Sequence, residues 1–215
     1  RTLMGLRPLR QPFGGIRVTY YRANTSINMF RYQPVQMNTN GQIQVASIAD
    51  MSGILGVTLG FLDANKAALP GGMDRLTDSS TTGPFLPSGN NAYVAVCDDP
   101  NQLYVIESDT GGGNMGTVDS IGQTISFVYL TASTTNGNTT TGIANLLLDT
   151  STTANDTGGI LTLVALYDSV NQDGTLNSAS GNFSKWVVRI NAHQAGPLNL
   201  GPGGAIGLSG SGAAA

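Results

Sequence analysis

Histidine, cysteine, glutamate and tryptophan each occur once in this chain, as His193, Cys97, Glu107 and Trp186. A single cysteine excludes an intrachain disulfide framework and any multi-cysteine metal site. A single histidine excludes HExxH and every other zinc site that needs two imidazoles. A Ser-His-Asp triad would have to use His193, yet no G-x-S-x-G elbow is present, and the nearby Trp186 places that histidine at a strand end. Charged residues are also scarce, at 11% of the chain, less than half the usual share. The polar surface must therefore come from Gly, Ser, Thr, Asn and Gln, a composition suited to protein contacts. No apolar run approaches the roughly 18 residues needed to span a bilayer, and no apolar stretch follows the N-terminal arginines. The sequence leads us to expect a soluble chain with no membrane partner and no secretory signal.

The charge that is present is unevenly placed. Arg1, Arg7, Arg10, Arg17, Arg22 and Arg31 precede Asp50 with no acid among them, a local charge of +6. From Asp50 onward, Lys66, Arg75, Lys185 and Arg189 face all thirteen acids, a local charge of −9. A basic end on an acidic body marks the end as the part that meets an anionic partner. Pro8, Pro12 and the pair Gly14-Gly15 discourage helix there, so an extended arm is expected over residues 1–25.

Beyond the arm, short β-rich runs predict strands at 16–21, 28–32, 42–48, 54–62, 93–97, 103–107, 124–131, 160–167 and 185–191, several of them alternating with period two. Asn40-Gly41, Pro70-Gly71, Ser88-Gly89, Asn136-Gly137 and Asp173-Gly174 supply turns between them. No sustained helical periodicity competes; only residues 63–69 suggest a turn or two of helix. The fold class expected is all-β, a sandwich or barrel-like (jelly-roll-like) body over 26–195. The Thr- and Asn-rich stretch 131–159 reads as surface loops anchored by Leu146, Leu147 and Leu148, and 196–215 reads as a Gly/Ser/Ala-rich tail. Cys97, behind Tyr93-Val94-Ala95-Val96, is expected as a packed, inert thiol.

Several motifs could in principle carry chemistry. Gly111-Gly112-Gly113-Asn114-Met115-Gly116 satisfies G-x-G-x-x-G, but a β-like run follows where a dinucleotide site needs a helix. Ser169 to Ser180 echoes a calcium loop without the acid at its end. Asp98, Asp99, Glu107 and Asp109 flank one expected hairpin, where a solvated loop is a simpler reading than a cation site. Sequons at Asn24, Asn138, Asn155 and Asn182 are expected by chance in so Asn- and Thr-rich a chain. Nucleic-acid binding is disfavoured because the acidic body would repel a polyanion. No catalytic residue, metal or cofactor is therefore expected.

Three stretches nevertheless carry a resemblance. They are Asn28-Met-Phe-Arg-Tyr-Gln-Pro-Val35, Tyr93-Val-Ala-Val-Cys-Asp-Asp-Pro100 with Tyr104-Val-Ile-Glu107, and Lys185-Trp-Val-Val-Arg-Ile-Asn-Ala-His-Gln194. The chain resembles, across about residues 1 to 195, a family of small virion proteins of tailed bacteriophages, the capsid cement or decoration proteins. The closing stretch, of the type K-W-x-V-x-I-x-x-H-Q, is its most distinctive element. The resemblance implies a non-catalytic homotrimer on the capsid outer surface, assembled in the host cytoplasm, with the major capsid protein as partner. Arg1, Arg7, Arg10, Phe13, Ile16, Arg17 and Arg22 are then the expected capsid-binding residues, the arginines suited to bidentate contacts and Phe13 and Ile16 to apolar grooves. The alternative is a phage receptor-binding or adhesin-type module whose Thr- and Asn-rich loops recognise a host surface glycan.

Overall fold

In this computed structural model the described residues are 3–9, 15–23, 28–46, 53–62, 76–78, 81–83, 85–89, 92–109, 121–130, 136–150, 159–170, 174, 176–179, 183–191 and 193–194. The expected tail at 196–215, the Gly111 to Gly116 run and the suggested helical turn at 63–69 lie outside them. Among the described residues there are sixteen strands and no helix. The all-β expectation holds.

Ten of the strands form two five-stranded antiparallel sheets. The first sheet runs β1 (Arg7–Pro8), β9 (Leu103–Glu107), β16 (Lys185–Ile190), β15 (Leu161–Leu166) and β10 (Thr124–Ile125) in spatial order. The second runs β2 (Val18–Arg22), β8 (Tyr93–Cys97), β5 (Gly56–Leu62), β3 (Pro34–Met37) and β4 (Ile43–Val45). Three two-stranded ladders complete the set: β6 (Leu76–Asp78) with β7 (Thr81–Gly83), β11 (Phe127–Tyr129) with β14 (Leu146–Leu148), and β12 (Gly137–Asn138) with β13 (Ile143–Ala144).

Alternation of side chains explains how these sheets stack. Tyr104 and Ile106 of β9, Trp186, Val188 and Ile190 of β16, and Leu161 and Leu163 of β15 all point inward, where they meet Val57 and Cys97 of the second sheet in one apolar core. Val94 and Val96, the alternate residues of β8, point the other way into a second core with Val35, Ile43, Val45, Phe61 and Leu86. Burial on both faces is why Tyr93 to Cys97 reads as a continuous apolar run. The second sheet also curls. Just beyond β2, Ala23 bridges in parallel to Ile43 of β4, the opposite edge, so the sheet closes on itself at one point around that second core. A two-layer sandwich with one partly closed layer is the result. Register shifts between Thr58 and Gly60 and between Leu163 and Ala165 add the local bend that such curvature needs.

Close approach fixes one glycine: a Cβ on Gly56 would lie 2.1 Å from the Cys97 carbonyl oxygen, so β5 can cross there only without a side chain.

The structure differs from two strand expectations, one loop expectation and one turn expectation. Residues 28–32 make only isolated bridges, Met29 to Leu86 and Arg31 to Ile143, because the chain turns at Tyr32 (φ 60°) and the Gln33 side chain accepts the Phe30 N–H at 2.8 Å. Residues 124–131 divide at Ser126, with β10 joining the first sheet and β11 pairing with β14. Leu146, Leu147 and Leu148, read as an anchor between loops, are a fully buried strand. Gly137, read as a turn glycine, is in β12, where a Cβ would strike the Phe30 ring at 2.2 Å.

Candidate docking surface

Residues 3–9 do not leave the body. Leu6 is fully buried in the main core, its N–H donates to the Tyr32 carbonyl at 2.9 Å, and Leu9 N–H donates to Leu103 O at 2.8 Å. Between them β1 adds to the first sheet with Arg7 opposite Val105 and Pro8 opposite Tyr104. Gly5 (φ 62°) makes this possible, because a Cβ there would lie 2.8 Å from Tyr32 Cβ. The boundary expected at residue 25 lies outside the described residues; of the described part of the expected arm, β1 belongs to the first sheet and β2 to the second.

This placement redistributes the expected capsid-binding residues. The Arg7 guanidinium lies over the Tyr32 ring, 5.1 Å from its centroid, an intrachain cation–π contact. Ile16 packs against the main core. Arg17 pairs through Nε with Asp98 Oδ1 at 3.1 Å, although its side chain is 61% exposed. Arg22, at the end of β2, is exposed. Arg1, Arg10 and Phe13 lie outside the described residues. What remains outward is the edge strand β2, whose side chains alternate between exposed and half-buried. Val18 (38% exposed) and Tyr20 (46%) stand on the same face as Arg22. The sequence shows their alternation but not that β2 lies at an edge, so this aliphatic, aromatic and basic stripe was legible only in part.

Behind β2 lies a buried polar cluster. Tyr21 donates to Asp98 Oδ2 at 2.7 Å, and Asp98 is only 2% exposed, so Arg17 and Tyr21 together tie the N-terminal strand to the end of β8. Burial, reinforced by Asp98, pushes the Tyr21 hydroxyl up to about 12, which keeps it a donor. Next to it, burial pushes the Cys97 thiol up to about 11, and Tyr104 reaches the Cys97 carbonyl at 3.3 Å. Cys97 is therefore protonated and enclosed, a poor nucleophile.

The closing stretch explains how the sheets are held together at their ends. After β16 the chain crosses to the second sheet, where His193 bridges in parallel to Ile54 and Gln194 N–H donates to Ile54 O at 2.9 Å. The Gln194 Oε1 then accepts the Met37 N–H at 2.7 Å. Trp186 is fully buried, with its Nε1 donating to Ser184 Oγ at 2.8 Å. Trp186, Val188 and Ile190 of the stretch thus build the core, and His193 and Gln194 tie it to the second sheet. Burial lowers the His193 pKa, against the pull of Asp98 and Asp99.

The four carboxylates read as a possible cluster are separated. Asp98 and Asp99 precede β9 while Glu107 and Asp109 follow its rise of roughly 3.3 Å per residue, and Asp109 instead accepts from the Thr150 hydroxyl. Among the described residues no group of three or more His, Cys, Asp or Glu side chains could hold a metal ion. Of the stretch from Ser169 to Ser180, Val170 and Leu176 form an antiparallel bridge and Gly174 has φ 83°, while Asn171, Asp173 and Ser180 lie outside the described residues. Of the sequons, Asn138 is described, and its side chain caps a turn by accepting the Thr140 N–H at 2.8 Å. No helix among the described residues is long and apolar enough to cross a membrane. Compared with known proteins, the chain matches no family model, no curated protein and no solved structure.

Proposed function

We propose that this chain is a virion structural protein that binds the outer surface of a phage capsid and stabilises the lattice of major capsid proteins, acting by attachment rather than turnover. The observation that carries the reading is the exposed edge strand β2 with Arg22, and Arg17 just before it, in the acid-free first part of a chain whose remainder is acidic. Such polarity orients a small protein on a larger anionic surface. The resemblance of residues 185–194 to the closing strand of cement proteins supports it. So does the task found for those residues, since a latch between two sheets suits a protein that must resist mechanical load. Localisation on the virion and assembly as a homotrimer are part of the same proposal.

Purified protein added to expanded phage heads that lack it tests the reading. Saturable binding with a raised temperature of head disruption is the expected result; heads that neither bind the protein nor gain heat resistance would overturn it.

The alternative, an adhesin-type module for a host glycan, rests on the Thr- and Asn-rich stretch 131–159, of which residues 136–150 and 159 are described. In that part Leu146, Leu147 and Leu148 are buried, whereas sugar rings stack on exposed aromatic platforms. Binding to a glycan array would favour this alternative.

A further inference from the structure

The four edges of the two large sheets are not alike. In the first sheet, β1 is two residues long and contains Pro8, and β10 is also two residues long. In the second, β4 has three residues and lies beside Ala23 at the point of closure. Among the described residues only β2 is a five-residue edge, Val18-Thr19-Tyr20-Tyr21-Arg22, with no proline, lysine or bulge; its Arg22 end abuts the closure at Ala23. Short strands, proline, bulges and charged side chains are devices that stop an edge from pairing, and of these β2 has only the charge of Arg22 at its end.

The direction of its free backbone groups follows from the ladder. Ala23 N–H donates to Ala92 O at 3.1 Å, and the register places Arg22 opposite Tyr93, Tyr20 opposite Ala95 and Val18 opposite Cys97. Antiparallel pairs alternate between bonded and non-bonded, so Tyr21 and Thr19 bond inward to β8 while the N–H groups of Val18, Tyr20 and Arg22 point to the open edge. The same three residues carry the exposed side chains. Backbone donors and outward side chains are therefore presented together.

We infer that β2 is a strand-addition site for an extended, acid-bearing segment of another protein. The segment would run antiparallel to β2, with an acid opposite Arg22 and apolar residues opposite Tyr20 and Val18. A second copy of this chain fits less well: β2 against β2, centred on Tyr20, would set each arginine opposite a valine and leave its charge unanswered. Backbone bonds supply affinity in this mode and alternate side chains supply specificity. The inference names a mode of attachment and is independent of the capsid reading, because edge, exposure and charge belong to the isolated chain.

A short synthetic peptide containing Glu-Thr-Val-Thr-Val, and its counterpart with Lys in place of Glu, test it by hydrogen exchange and fluorescence anisotropy on the full chain. The acidic peptide should slow exchange at the Val18, Tyr20 and Arg22 amides and leave Thr19 and Tyr21, already bonded to β8, unchanged. Tyr20→Pro removes an outward donor without touching the β8 ladder and should weaken binding about tenfold or more. Arg22→Glu, a surface change that controls for any folding defect in the proline variant, should reverse the preference between the two peptides. Equal binding of both peptides, or protection at none of the three amides, would overturn the inference. So would light scattering that shows an oligomer in which those amides are already protected, since the edge would then belong to a second copy.

Discussion

At His193, burial lowers the imidazole pKa from its usual 6.5, outweighing the carboxylates of Asp98 and Asp99 that raise it, while the Arg17 guanidinium adds to the lowering. The folded state therefore prefers the neutral ring, and it binds fewer protons than the unfolded chain as pH falls below the ordinary value. Stability contributed by this residue is full above pH 6.5 and declines as the pH drops from there toward the lowered folded pKa. The midpoint of urea denaturation should fall on acidification across that window, and His193→Gln should flatten the dependence. A profile unchanged by the substitution would place the sensitive group elsewhere. Gly56 offers a second test at this scale, because a methyl group there meets backbone rather than a movable side chain. Gly56→Ala should cost roughly 1–3 kcal/mol or more in chemical denaturation, whereas Gly41→Ala, in open space but at φ 71°, carries only the strain of its turn.

Among the elements, β1 and β2 changed meaning most between sequence and structure. Pro8 discourages helix, and the described residues 3–9 and 15–23 contain none, but an extended conformation in sequence is compatible with an arm and with an edge strand alike. What decides between them is tertiary: the buried pocket for Leu6, the carbonyl of Tyr32 and the free side of β9. Deleting residues 1–22 removes both edge strands and a core side chain, so it should destabilise the body rather than leave a folded remnant. Leu6→Ala isolates the core contribution and should cost about 2–5 kcal/mol, read as a lower thermal or denaturant midpoint. No loss of stability from either change would mean that the segment is peripheral. The central strands were legible because period and burial agree: 93–97 and 103–107 appear at the expected residues, and 54–62, 160–167 and 185–191 within two residues. The ladders at β3, β6, β7, β12 and β13 were not, since pairs of two to four residues carry too little periodicity to register. In the candidate site, Arg17 and Arg22 were visible as charges. Their roles were not, because the partner of Arg17 is 81 positions away at Asp98 and exposure of Val18 and Tyr20 depends on which strand ends the sheet.

As a whole, the described residues form a latched two-layer body in which β2 is the longest sheet edge, and the charge is divided along the chain. The proposal that such a body forms trimers predicts a single species of three chains by light scattering at micromolar concentration; a stable monomer would confine trimer formation to the capsid surface. Attachment through Arg22 and the outer part of Arg17 is also predicted to weaken with added salt, because exposed charges are screened over about 10 Å at 0.1 M ionic strength. The most direct measurement is the position of the protein in an imaged virion at a resolution that traces strands. The account predicts density for this all-β body on the outer face of the shell, at lattice positions, with β2 against a strand of the major capsid protein. Density at the tail tip or in a fibre, with Val170 and Leu176 outermost and β2 facing solvent, would contradict it.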